Sequence, residues 1–299
     1  MSIKSKSKPR PKIACEISAD RVLAGRIAEK GGFLDACAAR ELAPGSVVPD
    51  LTELNLRQPE AVRKAINDAI GGIAGRVRDV IAVIPDAAVR VVLLDFDTLP
   101  PNAEEADRVV RFRLKKSLPF DVDKAKVSYH TQTALGGLRL VAAVALNSVI
   151  EDYESAFRDA GYSAGLVLPS MLAALGAAEA DCPTLVLKVD ARTTSLAILD
   201  SGQLLLFRTL ENTRGVTITG EQLAEEVYPS VVFFQDTYHT NIERIYVAGL
   251  PESGGAAPAL RAQTGADVRD LVESSRLGST DGAAAPRWRM AGVVGALIA

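Results

Sequence analysis

Residues 98–167 decide the fold. They read TLPPNAEEADRVVRFRLKKSLPFDVDKAKVSYH over 98–130 and, after a short loop, LRLVAAVALNSVIEDYESAFRDAGYSAGLV over 138–167. Pro100-Pro101 ends a strand, and a helix is predicted over 103–117. Glu104, Glu105 and Asp107 sit in its early turns and Arg111, Arg113, Lys115 and Lys116 in its later ones, the charge order that complements the helix dipole. Its apolar face reads Val109/Val110, Phe112/Leu114 and Leu118. Pro119 stops it, because the residue before a proline is pushed out of the helical region. Strands over 127–133 and 138–145 pair as a hairpin across Gly136-Gly137. A helix over 149–160 ends at Gly161, a C-cap position, another strand follows that turn, and a further helix spans 169–180.

Outward from this stretch the chain reads as two α/β halves. On the N-terminal side, 13–27 is a hairpin (IACEISA, then RVLAGRI), 58–72 is a helix with Val62, Ala65, Ile66, Ala69 and Ile70 on one face, and 78–85 and 88–94 are short buried strands. On the C-terminal side, 184–198 (TLVLKVDARTTSLAI) is again strand, tight turn and strand, and 203–209 continues the meander. A helix follows over 221–238, interrupted or kinked at Pro229, then a strand over 245–248 and helices over 256–263 and 291–298. The hairpins opening near 13 and 184 form a weak internal repeat.

The 299 residues suit two lobes of roughly 100–150 residues each. With 48% hydrophobic and 24% charged residues and a net charge of −3, the composition is that of a soluble protein without an electrostatic footprint for nucleic acid. Cys15, Cys37 and Cys182 show neither zinc spacing nor a disulfide framework, which points to a reducing compartment. No signal peptide or bilayer-length apolar run is read, and 290–299 is about half such a length. Residues 1–12 (MSIKSKSKPRPK) are expected to be a disordered basic tail carrying Lys4, Lys6, Lys8, Arg10 and Lys12. His130 and His239 lack neighbours at metal-ligand spacing. Asp95 and Asp97 lie on one face of a strand end and read as turn residues.

The order of elements in 98–167 resembles the inserted subdomain of PilM, the cytoplasmic actin-like family of type IV pilus assembly. In that family a helix ends in a hydrophobic-Pro-Phe-Asp turn, here Leu118-Pro119-Phe120-Asp121. A short strand then ends in Tyr, here Tyr129, and a strand–helix unit follows that carries Tyr and Ala-Gly, here Tyr153 and Ala160-Gly161. The resemblance implies an α/β, two-lobed actin-like fold, a duplicated RNase H-like architecture. Lobe 1 would span 13–182 with an inserted α+β subdomain at about 98–165. Lobe 2 would span 183–299, its C-terminal helix packing back on lobe 1. The family's second insertion, which covers the nucleotide, is reduced or absent here, because only 211–220 separates the meander from the long helix.

The resemblance also implies a role: a cytoplasmic protein, peripheral to the inner membrane, that captures the N-terminal tail of a bitopic PilN-like partner and links it to the pilus motor ATPases. That tail resembles Asn-Leu-Leu-Pro and docks as an extended segment between lobe 1 and the inserted subdomain. Val109, Phe112, Arg113, Leu118, Pro119 and Phe120 are its expected contacts, with Phe112 and Phe120 packed inward and Arg111 or Arg113 at the rim.

Actin-like relatives bind nucleotide through three glycine-bearing motifs, because backbone must approach phosphate closely. Here the first reads Glu16-Ile17-Ser18-Ala19-Asp20 where Asp-Ile-Gly-Ser-Ser is usual. The second reads Lys188-Val189-Asp190-Ala191-Arg192-Thr193-Thr194 where Asp-Ile-Gly-Ala-x-x-Thr is usual, so that of its functional groups only the threonines, Thr194 among them, remain. The adenosine motif keeps one glycine, Gly249. Asp190 adds a Cβ and a charge beside a polyanion, and like charges about 4 Å apart cost on the order of 4 kcal/mol at intermediate dielectric. Neither ATP nor magnesium is therefore expected as a cofactor, and no enzyme activity. The alternative readings are the cytoplasmic actin-like module of type II secretion (GspL-like) and an active ATP-binding enzyme of the sugar- or acetate-kinase kind. The latter needs acids and glycines where Lys188 and Asp190 stand. A division-type tether (FtsA) would need an amphipathic C-terminal helix, and 290–299 is apolar all round.

Overall fold

The computed structural model describes residues 10–299 apart from 30–31, 135, 252 and 279–284. Lys4, Lys6 and Lys8 of the basic tail lie outside the described residues. Arg10 and Lys12 do not continue that expected disorder. The Arg10 guanidinium donates to the carbonyls of Ala296 and Ala299 at 2.8 and 2.7 Å, and the Lys12 carbonyl accepts from the Ile27 amide. The last carbonyls of a helix lack intrahelical donors and favour a cation, which is what orders this end of the tail.

Strands β1 (Ile13–Ile17), β2 (Arg21–Ile27), β3 (Leu34–Glu41), β4 (Asp79–Ile84) and β8 (Ser163–Pro169) form one sheet in the order β3-β2-β1-β4-β8. Strands β9 (Thr184–Val189), β10 (Thr193–Asp200), β11 (Gln203–Glu211), β12 (Arg244–Ala248) and β13 (Asp267–Asp270) form a second in the order β11-β10-β9-β12-β13. Each is an antiparallel three-strand meander continued by two parallel strands. The duplication hinted at by the two hairpins is therefore a repeat of whole sheets. Two strands escaped the sequence reading. The LDACAARE run of β3 mixes small and charged residues without clean alternation, and β13 has only four residues.

Alternation assigns the faces. Ile13, Cys15 and Ile17 of β1 pack outward against α1 (Pro59–Ala74) and α3 (Asn147–Asp159), whereas Ala14 and Glu16 point the other way. Leu185, Leu187 and Val189 of β9 likewise pack outward, with the helices α5 (Gly220–Tyr238) and α6 (Ser253–Thr264), and Val186 and Lys188 face inward. The inner faces meet through one shared core. Ala14, Ile81, Val186 and Ala197 join residues of α4 (Ser170–Ala174) and α7 (Ala291–Ile298) in it. The C-terminal helix thus packs on lobe 1 and closes the molecule.

The helix expected over 169–180 is only Ser170–Ala174 followed by a 3-10 turn at Leu175–Ala177. Here α7 crosses so closely that a Cβ at Gly295 would lie 2.1 Å from the Ala173 carbonyl oxygen. Helix α5 runs unbroken through Pro229, started by a capping box of Thr219 and Gln222. Only a 3-10 turn at Gly215–Thr217 lies between β11 and α5.

A third sheet, β5-β7-β6, holds β5 (Arg90–Phe96), β6 (Ala125–Ala134) and β7 (Gly137–Leu146). It begins at Arg90, earlier than the expected 98, and α3 and β8 belong to lobe 1 itself. Helix α2 (Ala103–Leu114) lies on it, capped by Asn102, whose side chain accepts the amides of Glu104 and Glu105. The sheet leans on lobe 2. The Gln132 amide donates to the Leu204 carbonyl at 2.6 Å and accepts the Leu204 amide at 3.2 Å. Arg139, bidentate to Asp95, donates to the Tyr238 hydroxyl, which donates to the Leu205 carbonyl.

Candidate functional site

The inward positions of β1 and β9 bring Glu16 and Lys188 together between the lobes. Each is only 3% exposed, and the Lys188 ammonium stands 3.3 Å from Glu16 Oε1. It also donates to Asp190 Oδ2. Ser170 Oγ donates to the same Glu16 oxygen. Beside them Asp86, just after β4, accepts the Met171 amide at 2.8 Å and the Ser195 hydroxyl of lobe 2 at 2.7 Å. One cation therefore serves three carboxylates. Burial alone would lower the Lys188 pKa, but Asp190, Glu16 and Asp86 outweigh it and hold the ammonium above its ordinary value. Burial raises the Asp86 carboxyl to about 6, against the opposing pull of Lys188 and its two hydrogen bonds. Thr194 Oγ1 and Glu16 Oε2 are buried without a partner among the described residues. Helix α7 presses on Glu16, and a Cβ at Gly292 would lie 2.6 Å from Oε2.

Lys188 thus stands where the second motif would carry an acid for magnesium. An ammonium has three donors and no lone pair; it can neutralise Glu16 and Asp190 but cannot coordinate a cation. Ser18, which takes the place of the first glycine, is held in its own turn, its hydroxyl reaching Asp20 and the Arg21 carbonyl. At the third motif, Gly249 has φ +85° and donates its amide to the Trp288 carbonyl at 2.8 Å. A Cβ there would lie 1.7 Å from the Val189 carbonyl oxygen, so this glycine serves close packing of backbone on backbone. Trp288 carries Arg289 stacked on its ring at 4.4 Å, and Arg289 pairs with Glu41. The space left among Glu16, Lys188, Asp190, Gly249, Trp288 and Arg289 is about 10 Å³. That is room for about one water, against the ~300 Å³ or more of ligand sites. With the Lys188 ammonium between Glu16 and Asp190, this cluster does not fit a magnesium ion.

The same hairpin turns also line an open groove of about 480 Å³. Pro49, Leu51, Pro85–Ala87 and Val89 of lobe 1 line one wall, Arg90 and Val91 of β5 a second, and Phe207–Glu211 of β11 a third, with the two hairpin turns, Glu16–Ala19 and Asp190–Thr193, and Ser170 at one end. Both β5 and β11 are edge strands of their sheets.

The six residues expected to touch a partner lie elsewhere, and none lines this groove. Val110 and Leu114 form the buried face of α2. Leu118 and Phe120 pack half-buried against the subdomain's own core, and Pro119 is exposed. Val109 is exposed, and Arg113 is too, with its guanidinium 5.4 Å from the Phe96 ring centre. Phe112 does not pack inward but is 70% exposed. At 100° per residue it lies on the side opposite Val110 and Leu114, and grouping it with them ignored that rotation. His130 is exposed on β6, and His239 caps α5 with φ +54°. Asp95 is engaged by Arg139. Cys15 is buried, and burial followed by the charge of Glu16 pushes its thiol up and out of reach of ionisation. Sequence reasoning missed Asp86, Ser170 and Ser195. Asp86 had a signal, an acid directly after the strand-ending Ile84-Pro85, whereas the serines carry none.

No protein-family model matches the sequence, and neither does any curated protein sequence. Solved structures do. A type IV pilus biogenesis complex of PilM and PilN superposes with a TM-score of 0.80 at 19% identity, over 97% of this chain and 98% of that one. The fold is actin-like. EutJ, an ethanolamine utilization protein of Carboxydothermus hydrogenoformans, aligns at TM-score 0.53 and 9% identity over 98% of this chain and 90% of its own. The cytoplasmic domain of EpsL, an inner-membrane component of the type II secretion system of Vibrio cholerae, aligns at 0.51 and 11% over 80% and 83%. In this actin-like frame the Glu16 and Lys188 hairpins are the equivalent turns of two duplicated lobes. Among the described residues no helix is long and apolar enough to cross a membrane.

Proposed function

We propose that this protein is a non-catalytic adaptor of a type IV pilus assembly system. In this reading it lies in the cytoplasm against the inner membrane, receives the short N-terminal tail of a bitopic PilN-like protein in the interlobe groove, and passes that connection to the motor ATPases. The observation that carries the reading is the buried Lys188 bridging Glu16 and Asp190: an internal cation where an actin-like enzyme needs magnesium. The likeness to the PilM–PilN complex supports it. So does a groove of ligand size that mixes apolar and charged side chains and whose edge strands suit an extended segment.

With Lys188 in place the lobes are held by ion pairs and not by a nucleotide. Binding free energy then comes from a few apolar anchors, enough for micromolar affinity at about −8 kcal/mol. Calorimetry tests both halves. A synthetic peptide with an Asn-Leu-Leu-Pro core should bind at micromolar concentration, and Mg-ATP should give no heat. Magnesium-dependent ATP binding at low micromolar concentration, with no peptide binding, would overturn the reading in favour of an enzyme.

A further inference from the structure

We infer that Gln132, Arg139 and Tyr238 form a clasp that sets the width of the interlobe groove, so that occupation of the groove and closure of the clasp favour each other. The inference rests on the docking reading above and assigns positioning residues to that same site.

The register of the third sheet places the clasp. Asp95 of β5 lies opposite Arg139 of β7, and Arg139 lies opposite Gln132 of β6. The three form one row across the sheet with their side chains on one face. The row sits at the free end of the sheet, by the β6–β7 turn. The other end joins lobe 1, where β5 starts at Arg90 and β7 runs through Leu146 into α3. From the row, the Gln132 amide group makes both of its contacts with the Leu204 backbone, and Arg139 donates to the Tyr238 hydroxyl. Tyr238 is itself held, its ring centre 5.0 Å from that of Phe234 and its hydroxyl on the Leu205 carbonyl. Among the described residues no other hydrogen bond or ion pair joins 90–146 to lobe 2.

The groove lies at the opposite ends of the same two edge strands. β5 runs from the groove at Arg90 and Val91 to the clasp at Asp95, and β11 runs from the clasp at Leu204 and Leu205 to the groove at Phe207–Glu211. Between the two ends Leu93, Val141 and Phe207 pack half-buried against the interlobe core. The strands belong to different sheets, so no ladder fixes their separation. Beyond the clasp an open crevice of about 540 Å³ is lined by Asp95, Arg139, Leu205 and Tyr238. The clasp is thus a narrow polar bridge with openings on both sides, and the hydrogen bonds of such a bridge exchange readily for those of water. An occupant that touches β5 and β11 together needs them at one spacing. A ligand that prefers one arrangement shifts the protein toward it, and by linkage the clasp strengthens binding by the factor with which binding strengthens the clasp.

The Leu204 amide reports on the clasp, because its acceptor is Gln132 Oε1 and Leu204 lines no part of the groove. Hydrogen exchange at Leu204 with and without a synthetic peptide of Asn-Leu-Leu-Pro core therefore tests the coupling in the unaltered protein. The peptide should slow that exchange, and Tyr238→Phe should speed it in the free protein. Fluorescence anisotropy with the labelled peptide supplies the second measurement. Gln132→Ala/Tyr238→Phe should bind about tenfold more weakly than the wild type, as when the closed arrangement falls to about one tenth of the population. Unchanged exchange at Leu204 on peptide binding, or equal affinity of the wild type and the double variant, would overturn this inference and leave the docking reading intact. A wild type that binds no peptide would overturn the docking reading and this inference with it.

Discussion

Replacing Lys188 by methionine removes one buried charge and leaves two carboxylates facing its place. Glu16, 3% exposed, would keep only Ser170 Oγ as a partner, and Asp190 would lose its ammonium. Breaking a buried ion pair from one side typically costs about 3–5 kcal/mol, because the remaining charge is neither solvated nor paired. The upper part of that range is expected, since Lys188 serves Glu16 and Asp190 together and also faces Asp86. Urea unfolding followed by Trp288 fluorescence is the assay. This is the sole tryptophan of the chain, and its carbonyl accepts the Gly249 amide at the cleft. Adding Glu16→Gln to Lys188→Met should return more than half of the loss, because the stranded charge goes with its partner. A Lys188→Met variant within about 1 kcal/mol of the wild type at pH 7 would refute the argument that this lysine holds the lobes together.

Other outcomes follow from the same geometry. Asp86 has its folded pKa raised to about 6 from an ordinary value near 3.8, so the folded state favours its proton. Its contribution is fully present below pH 3.8 and is lost as pH rises through 6. In Asp86→Asn that loss is absent, so stability relative to wild type should improve between pH 4 and pH 6.5 in paired urea titrations; a constant difference would contradict it. Gly249→Ala should cost on the order of 3 kcal/mol, through the left-handed φ and the contact with the Val189 carbonyl, read as a lower melting temperature. Phe112→Ser should change stability by no more than about 0.5 kcal/mol, because that ring is exposed, whereas Phe157→Ala in the lobe 1 core should cost about 3–5 kcal/mol; equal costs would be inconsistent with the orientation of α2. Equilibrium dialysis with labelled Mg-ATP should show no retention on the wild type.

Several local features were legible before any coordinates. The turns at Gly136 and Gly161 have positive φ, as glycine at those positions suggested. The acidic start of α2 and its proline stop define that helix to within a few residues. Alternation in IACEI and TLVLKV marks two buried strands, and because the period is two it already places Glu16 and Lys188 opposite the residues that face the outer helices. The loss of glycine at Ser18 and Asp190 is likewise a statement about composition at a turn, needing no tertiary context. Helical spacing also carries the rotation of α2: at 100° per residue Phe112 falls opposite Val110 and Leu114.

What the sequence determined by itself, then, is whatever depends on near neighbours: turns, caps, strand faces and the chemistry missing from the phosphate motifs. Tertiary structure alone decided which inward faces meet. Glu16 and Lys188 touch because two equivalent sheets close on α4 and α7, and that packing is a sum of many weak apolar contacts with no short-range signature. The short α4 has the same origin, since backbone contact with α7 and not local propensity ends it. The groove was out of reach for a related reason. Its walls are the edges of β5 and β11, and an edge is defined by the strand that is absent beside it, a property of sheet order that no stretch of residues carries.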